Sequence, residues 1–285
     1  MGLLDGRTAV VTGAAVGLGN AFAKALAGEG ASLAVCDVRE EIDGFGGQVD
    51  TDVLPMRADV SDAAQVKAFI DATLDRFGRI DVLVSNAGVW AGSSATDDID
   101  KTLADIPHVV GTNLKGVFLC GRAVMPAMIG QGGGHIVNIC TDHVQTCGSP
   151  FELSHDDAPG CPFIDIAPRP TGGGTNMDLY DAAKWGVNGL TFTWCQALKR
   201  HNIRVNGFCM GATDTCMIRR FFNFDPPREE VERWMRAEDI ARVLIELIAE
   251  GPDGRTGENI GFAVGHPVVL PPPRTNPYFF AVEEG

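Results

Sequence analysis

The sequence predicts a single doubly wound α/β domain, with a mostly parallel seven-stranded sheet and helices on both faces. Three observations predict it. Short apolar runs of strand length alternate with longer segments of helical character. The runs are apolar nearly throughout, as strands covered on both faces are. A glycine-rich turn joins the first run to the first helix, where such a fold receives a ligand. With 285 residues, 45% hydrophobic and 21% charged, the chain can bury a large core.

Arg7–Thr12 reads as a buried strand, and the turn after it opens a helix to about Gly28. Ser32–Cys36 is a second apolar strand. Val53–Ala58 is a third, followed by a helix over Asp62–Phe77. Val82–Ser85 is the fourth, and a long helical stretch runs from about Asp98 to Met128. His135–Cys140 is the fifth strand, Leu179–His201 a helix, and Arg204–Phe208 the sixth strand. Ala237–Ala249 has the apolar periodicity of a helix, and Asn259–Val264 is the seventh strand. Two segments break the rhythm. Residues 144–177, rich in Pro, Gly, Asp and Thr, form an insertion in the domain of residues 1–267. A structureless stretch of that length is usually functional or mobile. Residues 268–285 form a tail in which Pro271-Pro272-Pro273 favours extended chain.

A net charge of −14 argues against nucleic acid or an anionic membrane surface as the main partner. The N-terminus runs straight into the first strand without a secretory signal. No apolar run approaches the roughly 20 residues of a membrane helix. The eight cysteines include no C-x-x-C pair and are expected to be free thiols in a reducing cytoplasm.

Thr12-Gly13-Ala14-Ala15-Val16-Gly17-Leu18-Gly19 lies between the first strand and the first helix. Such a turn points backbone N–H groups and a helix N-terminus at a pyrophosphate, and its glycines let the backbone approach closely. Asp37 closes the second strand, 24 positions after Gly13. An acid about 20 residues downstream binds the ribose hydroxyls of NAD and repels a 2′-phosphate. Arg39 argues for NADP, but Asp37 comes first and Val16 leaves no basic group in the turn, so NAD is the expected cofactor. Tyr180 and Lys184 are four positions apart and share one face of a helix. An ammonium beside a phenol favours the phenolate, which takes a proton from an alcohol.

These motifs in this order resemble the short-chain dehydrogenase/reductase family, over about Leu4 to Val264 apart from the insertion. The resemblance implies a Rossmann-type fold and a dinucleotide held by Gly13, Val16, Gly17, Leu18, Gly19, Asp37 and Val38. Asp59 and Val60 match the segment that contacts adenine. Asn86-Ala87-Gly88 matches the motif after the fourth strand, and Gly211, Thr213 and Thr215 the cofactor contacts after the sixth. Tyr180 and Lys184 match the catalytic pair, with Lys184 also on the nicotinamide ribose. Asn113 matches the asparagine that supports proton relay. Lys184 and the nicotinamide are expected to lower the Tyr180 pKa from near ~10.

The chain also departs from the family. Thr141 stands where a serine is usual; it keeps a hydroxyl for the substrate oxygen but adds a methyl. Asp142 and His143 follow, and His143 is a candidate for substrate contact or for assisting the hydroxyl. Tyr180 comes 39 positions after Thr141, against about a dozen in relatives, so the insertion is expected to wall the substrate pocket. His155, Asp156 and Asp157 within it lack a second cluster at ligand spacing, and no metal is expected. Phe221 and Phe222, with Phe224 and Trp234, lie in the lid after the sixth strand and suggest an apolar, cyclic or aromatic substrate. The expected activity is NAD-dependent interconversion of a secondary alcohol and a ketone by a homotetramer or homodimer. The alternatives are a catalytically weak dinucleotide-binding regulator, which the substituted serine permits, and a non-redox lyase or isomerase. The direction of the reaction stays open.

Overall fold

A computed structural model describes residues 2–144, 176–262 and 264–273. The sheet is parallel throughout, in the order β3-β2-β1-β4-β5-β6-β7. Its strands are β1 (Thr8–Thr12), β2 (Ser32–Asp37), β3 (Val53–Arg57), β4 (Val82–Ser85), β5 (Gly134–Thr141), β6 (Ile203–Met210) and β7 (Asn259–Phe262). The helices are α1 (Gly17–Gly28), α2 (Ala63–Phe77), α3 (Ile99–Val110), α4 (Val117–Gln131), α5 (Asp178–Leu198), α6 (Cys216–Arg220), α7 (Arg228–Arg233) and α8 (Ala237–Ala249). Strand order reverses between β1 and β4. A crevice therefore opens at the carboxyl ends of these two strands, where doubly wound sheets bind ligands.

Both faces are covered, which explains the uniformly apolar strands. On one face α1 and α8 bury Phe22, Leu26, Ile240, Leu244 and Leu247 against β1, β2 and β6. On the other, α2, α4 and α5 bury Phe69, Ile70, Val124, Met128, Val187 and Trp194. Asp62 caps α2, accepting from the Ala64 and Gln65 N–H groups, and Gly78 ends it at φ +74°.

The strands and helices lie where the sequence places them, within a few residues at their ends. The long stretch from Asp98 is one helical rod, but its middle, Gly111–Gly116, is wound as a π turn. The insertion falls largely on residues 145–175, outside the described residues, as do His155, Asp156, Asp157 and residues 274–285 of the tail. The first residues of the tail fold back on their own domain rather than away from it. Val268 and Leu270 pack on the first core, and Val268 O and Pro271 O accept from Arg242 and Arg255. Cys36, Cys120, Cys140, Cys195 and Cys209 are buried free thiols, whereas Cys216 is exposed. Among the described residues, no helix is long and apolar enough to cross a membrane.

Asp81 ties the amino ends of β1 and β4 together. It is buried and accepts from Arg7 Nη1 at 2.8 Å, the Thr8 N–H at 2.9 Å and Arg79 Nε at 2.7 Å. Burial pushes its pKa up, but Arg79, the Thr8 N–H and Arg7 together hold it below the ordinary carboxylate value. The resulting stability is complete above the unfolded aspartate value of about 3.9 and is lost as pH falls through the lower folded value. Asp81→Ala is expected to cost about 1–3 kcal/mol at pH 7, because the Thr8 N–H loses its partner. Urea denaturation of both proteins across the acid range should show that difference shrinking as pH falls.

Candidate active site

The glycine turn is shaped by what surrounds it. Gly13 and Gly17 adopt φ of +65° and +60°. A Cβ on Gly13 would lie 2.8 Å from Ala87 Cα, and one on Gly19 only 2.1 Å from Gly13 O. The backbone of β1, the turn and α1 is thus pressed against the chain leaving β4. Asn86 secures that contact: its Nδ2 donates to Thr12 O at 2.9 Å and Gly13 O at 3.0 Å. Thr12 Oγ1 in return accepts from the Asn86 and Ala87 N–H groups, both at 3.0 Å. At the head of α1 the extended Val16 offers no side-chain cap, and Leu18 packs on the core behind. Open N–H groups at a helix N-terminus are what a pyrophosphate requires.

At the end of β2, Asp37 Oδ2 accepts from the Ala15 N–H at 3.0 Å and Oδ1 from the Arg39 N–H at 3.1 Å. These bonds aim a buried carboxylate at the turn. Val38 beside it is 66% exposed, an apolar side chain set at the rim. The Ala58 N–H donates to Asp37 O at 3.0 Å, drawing Asp59 and Val60 to the same rim. These residues fit a dinucleotide on their geometry: a backbone cradle, a buried acid for ribose hydroxyls and apolar groups for a flat base.

The π turn carries Asn113, which is wholly buried. Its Oδ1 accepts from the Val89 N–H at 2.8 Å and its Nδ2 donates to Val89 O at 2.7 Å. Extra turns of this kind recur at functional sites. A Cβ on Gly88 would lie 3.3 Å from Asn113 Oδ1 and 3.7 Å from Lys184 Nζ, so these three residues converge. Lys184 is buried on α5, and its ammonium donates to Ile139 O at 2.8 Å. Cys140 Sγ donates to Lys184 O at 3.1 Å, locking the helix to β5. Lys184 Nζ lies 5.7 Å from the centroid of the Tyr180 ring.

The shift expected at Tyr180 runs the other way in the protein alone. Burial, then Cys140, Asp181 and Asp142, push the phenol above its ordinary value. Burial likewise lowers Lys184, although Cys140 and Cys209 raise it. Beside the Tyr180 ring stands His143, flanked by Asp142 and Asp181. Thr141 Oγ1 donates to Asp142 Oδ1 at 3.3 Å, and His143 Nδ1 lies 3.0 Å from Asp181 Oδ1. Gly211, after β6, lies close to the Asp142 carboxylate: a Cβ on Gly211 would sit 2.6 Å from Asp142 Oδ2.

Thr215 heads α6 and approaches the turn: a Cβ on Gly17 would sit 3.3 Å from its Cγ2. Thr213 Oγ1 donates to Gly211 O at 3.1 Å. The two lid phenylalanines part company. Phe221 stands edge-on to Trp90, with centroids 4.4 Å apart, whereas Phe222 packs on the buried Trp234 at 5.6 Å. Phe222 is therefore part of the lid's own packing. Trp90 was not visible from sequence as a site residue, although it stands two positions after Asn86-Ala87-Gly88. Its Nε1 is buried and has no partner among the described residues. Ser93 likewise carries no sequence signal: its Oγ accepts from the Leu179 N–H at 3.2 Å and helps seat the start of α5. Among the described residues no group of three or more His, Cys, Asp or Glu side chains could hold a metal ion.

Residues 7–148 match the family model described as short chain dehydrogenase, and residues 169–266 match one described as enoyl-(acyl carrier protein) reductase. The chain is 32% identical to 3-oxoacyl-[acyl-carrier-protein] reductase FabG of Thermotoga maritima, over 92% of this chain and 98% of that protein. It is 34% identical to levodione reductase of Leifsonia aquatica, over 86% and 88%. The crystal structure of levodione reductase superposes with a TM-score of 0.72, covering 91% of this chain and 96% of that one at 31% identity. Trans-4-hydroxycyclohexanecarboxylate dehydrogenase of Sinomonas cyclohexanicum is 31% identical, over 91% and 92%.

The turn geometry makes a prediction. Gly19→Ala must push Gly13 O and Asn86 aside, which costs about 1–3 kcal/mol of overpacking. A lower melting temperature together with a dinucleotide Kd raised at least about tenfold by calorimetry is the expected outcome.

Proposed function

The chain belongs to the short-chain dehydrogenase/reductase family, and within it we propose an NAD-dependent enzyme that interconverts a secondary alcohol and a ketone with Tyr180 as acid/base. The observation that carries this reading is the convergence of Tyr180 and the buried Lys184 ammonium with Gly88 and Asn113, beside the switch point of the sheet. NAD, when bound, supplies the hydride acceptor for the alcohol and, reduced, the donor for the ketone. Tyr180 takes the alcohol proton, or returns it to the carbonyl oxygen in reverse. Thr141 orients the substrate oxygen through its hydroxyl. Lys184 favours the phenolate and holds ribose. Both polar ends of the Asn113 side chain are committed to Val89, so it serves proton relay by fixing the loop and the π turn beside Lys184.

Gly13, Gly17 and Gly19 with the head of α1 would hold the pyrophosphate, Asp37 the adenosine ribose, and Val38, Asp59 and Val60 the adenine. Asn86, Ala87, Gly88, Gly211, Thr213 and Thr215 would border the nicotinamide half. NAD is favoured over NADP because a 2′-phosphate would meet the buried Asp37 carboxylate. The aromatic wall of Trp90 and Phe221 supports an apolar or cyclic substrate. The relative named for trans-4-hydroxycyclohexanecarboxylate, a ring alcohol, points the same way. The five buried free thiols among the described residues suit the reducing cytoplasm.

We further propose a homo-oligomer. Ile99, Leu103 and Ile106 form an exposed apolar stripe along α3, and the exposed Trp185 of α5 adds to the apolar surface of this pair of helices. Leu103→Glu should shift light scattering from dimer or tetramer towards monomer.

The activity is tested by NADH absorbance against a panel of secondary alcohols and ketones, each with NAD and NADP. Tyr180→Phe should lose about 10²–10⁴ in kcat while still binding the dinucleotide. Unchanged turnover in that variant sinks the reading. Product formed without any cofactor redox change would indicate a lyase or isomerase, and binding without turnover a regulator.

A further inference from the structure

Two carboxylates from different elements flank His143, whose ring stands beside that of Tyr180. Asp142 comes from the turn after β5, and Asp181 from the first turn of α5, adjacent in sequence to the phenol. His143 lies between them, its Nδ1 3.0 Å from Asp181 Oδ1 and its Nε2 3.9 Å from Asp142 Oδ1. The imidazole stands edge-on to the Tyr180 ring with centroids 6.4 Å apart. The same Asp142 Oδ1 accepts from Thr141 Oγ1. The three side chains are about one-fifth to one-quarter exposed. At that depth water screens charge poorly, and a carboxylate is felt across several ångströms.

We propose that Asp142, His143 and Asp181 are positioning residues that set the pH at which Tyr180 gives up its proton. The inference rests on the reading of Tyr180 as acid/base. Among the described residues, the titratable groups facing Tyr180 are Cys140 of β5, Asp142 and His143 of the turn, and Asp181 and Lys184 of its own helix. Cys209 of β6 faces Lys184 from behind. Forming a phenolate places a negative charge beside two carboxylates, which oppose it. The imidazolium of His143 offsets one of them while it stays protonated. Burial disfavours that cation, but the Asp181 hydrogen bond and the charges of Asp142 and Asp181 outweigh burial and raise its pKa. As pH climbs past the range of His143 the offset disappears and both carboxylates act in full. Asp142 also competes for the Thr141 proton, so the hydroxyl that orients substrate is oriented by the same group.

The chain has only two tyrosines, Tyr180 and Tyr278. In a Tyr278→Phe background the near-ultraviolet phenolate absorbance therefore reports Tyr180 alone. In that background Asp142→Asn and Asp181→Asn should each lower the titration midpoint by roughly 0.5–1 pH unit. The rising limb of kcat/KM for alcohol oxidation should move to lower pH with it. His143→Gln should leave the alkaline titration in place, since the imidazole is already neutral there. It should lower oxidation near neutral pH and leave the rate above the titration range of His143 unchanged. A purely structural residue would lower the rate at every pH. Midpoints unmoved in both Asn variants, or a pH-independent loss in His143→Gln, would overturn the proposal. The phenol titration needs no turnover, so it decides the proposal separately from Tyr180→Phe, which decides the reading beneath it.

Discussion

The structure depends on one close approach. At the switch point the backbone of the glycine turn lies against the chain leaving β4, with no space for a side chain at Gly13 or Gly19. Asn86 fills the remaining gap and donates to the Thr12 and Gly13 carbonyls at the end of β1. This contact fixes where α1 begins, and so where its open N–H groups point. It also fixes the course of residues 87–90, and with it the place of Gly88 beside Asn113 and of Trp90 opposite Phe221. The shape of the glycine turn and the pairing of Trp90 with Phe221 therefore follow from the same packing constraint.

A second constraint is the burial of Lys184. An ammonium out of water is costly unless its hydrogen bonds are met, and Ile139 O meets one of them at 2.8 Å. The helix carrying it is held to β5 by Cys140 and to the loop after β4 by Ser93. The cost of burial shows in the depressed basicity of Lys184 and in the raised pKa of Tyr180. Lysine spacing alone pointed to an activated phenol. The surroundings hold it back in the protein by itself, because burial opposes either charge and the nearby acids oppose the phenolate in particular.

Much of the site could be read from one-dimensional patterns because its parts are local. A strand, a glycine turn and a helix are consecutive in sequence, and Asp37 ends the next strand. Tyr180 and Lys184 are held at one helix face by helical geometry alone. The uniformly apolar strands announced a sheet covered on both sides, and it is so covered. Less legible were groups that meet across the fold. Phe221 and Phe222 are adjacent in sequence, yet one faces Trp90 and the other packs on Trp234. The π turn at Asn113 is seen only with its contact to Val89, 24 positions away, which a reading of residues 98–128 by themselves does not contain.

The sequence by itself determined the class of fold, the glycine turn between β1 and α1, and the shared helix face of Tyr180 and Lys184. Each rests on short-range geometry: the strand and helix repeats, and the steric freedom of glycine. Tertiary structure alone decided the electrostatic setting of that pair. Asp142 and Asp181 are 39 positions apart and meet around His143 only because β5 and the start of α5 are packed side by side. Charge acts through space and burial, and neither is written in the spacing of residues along a chain.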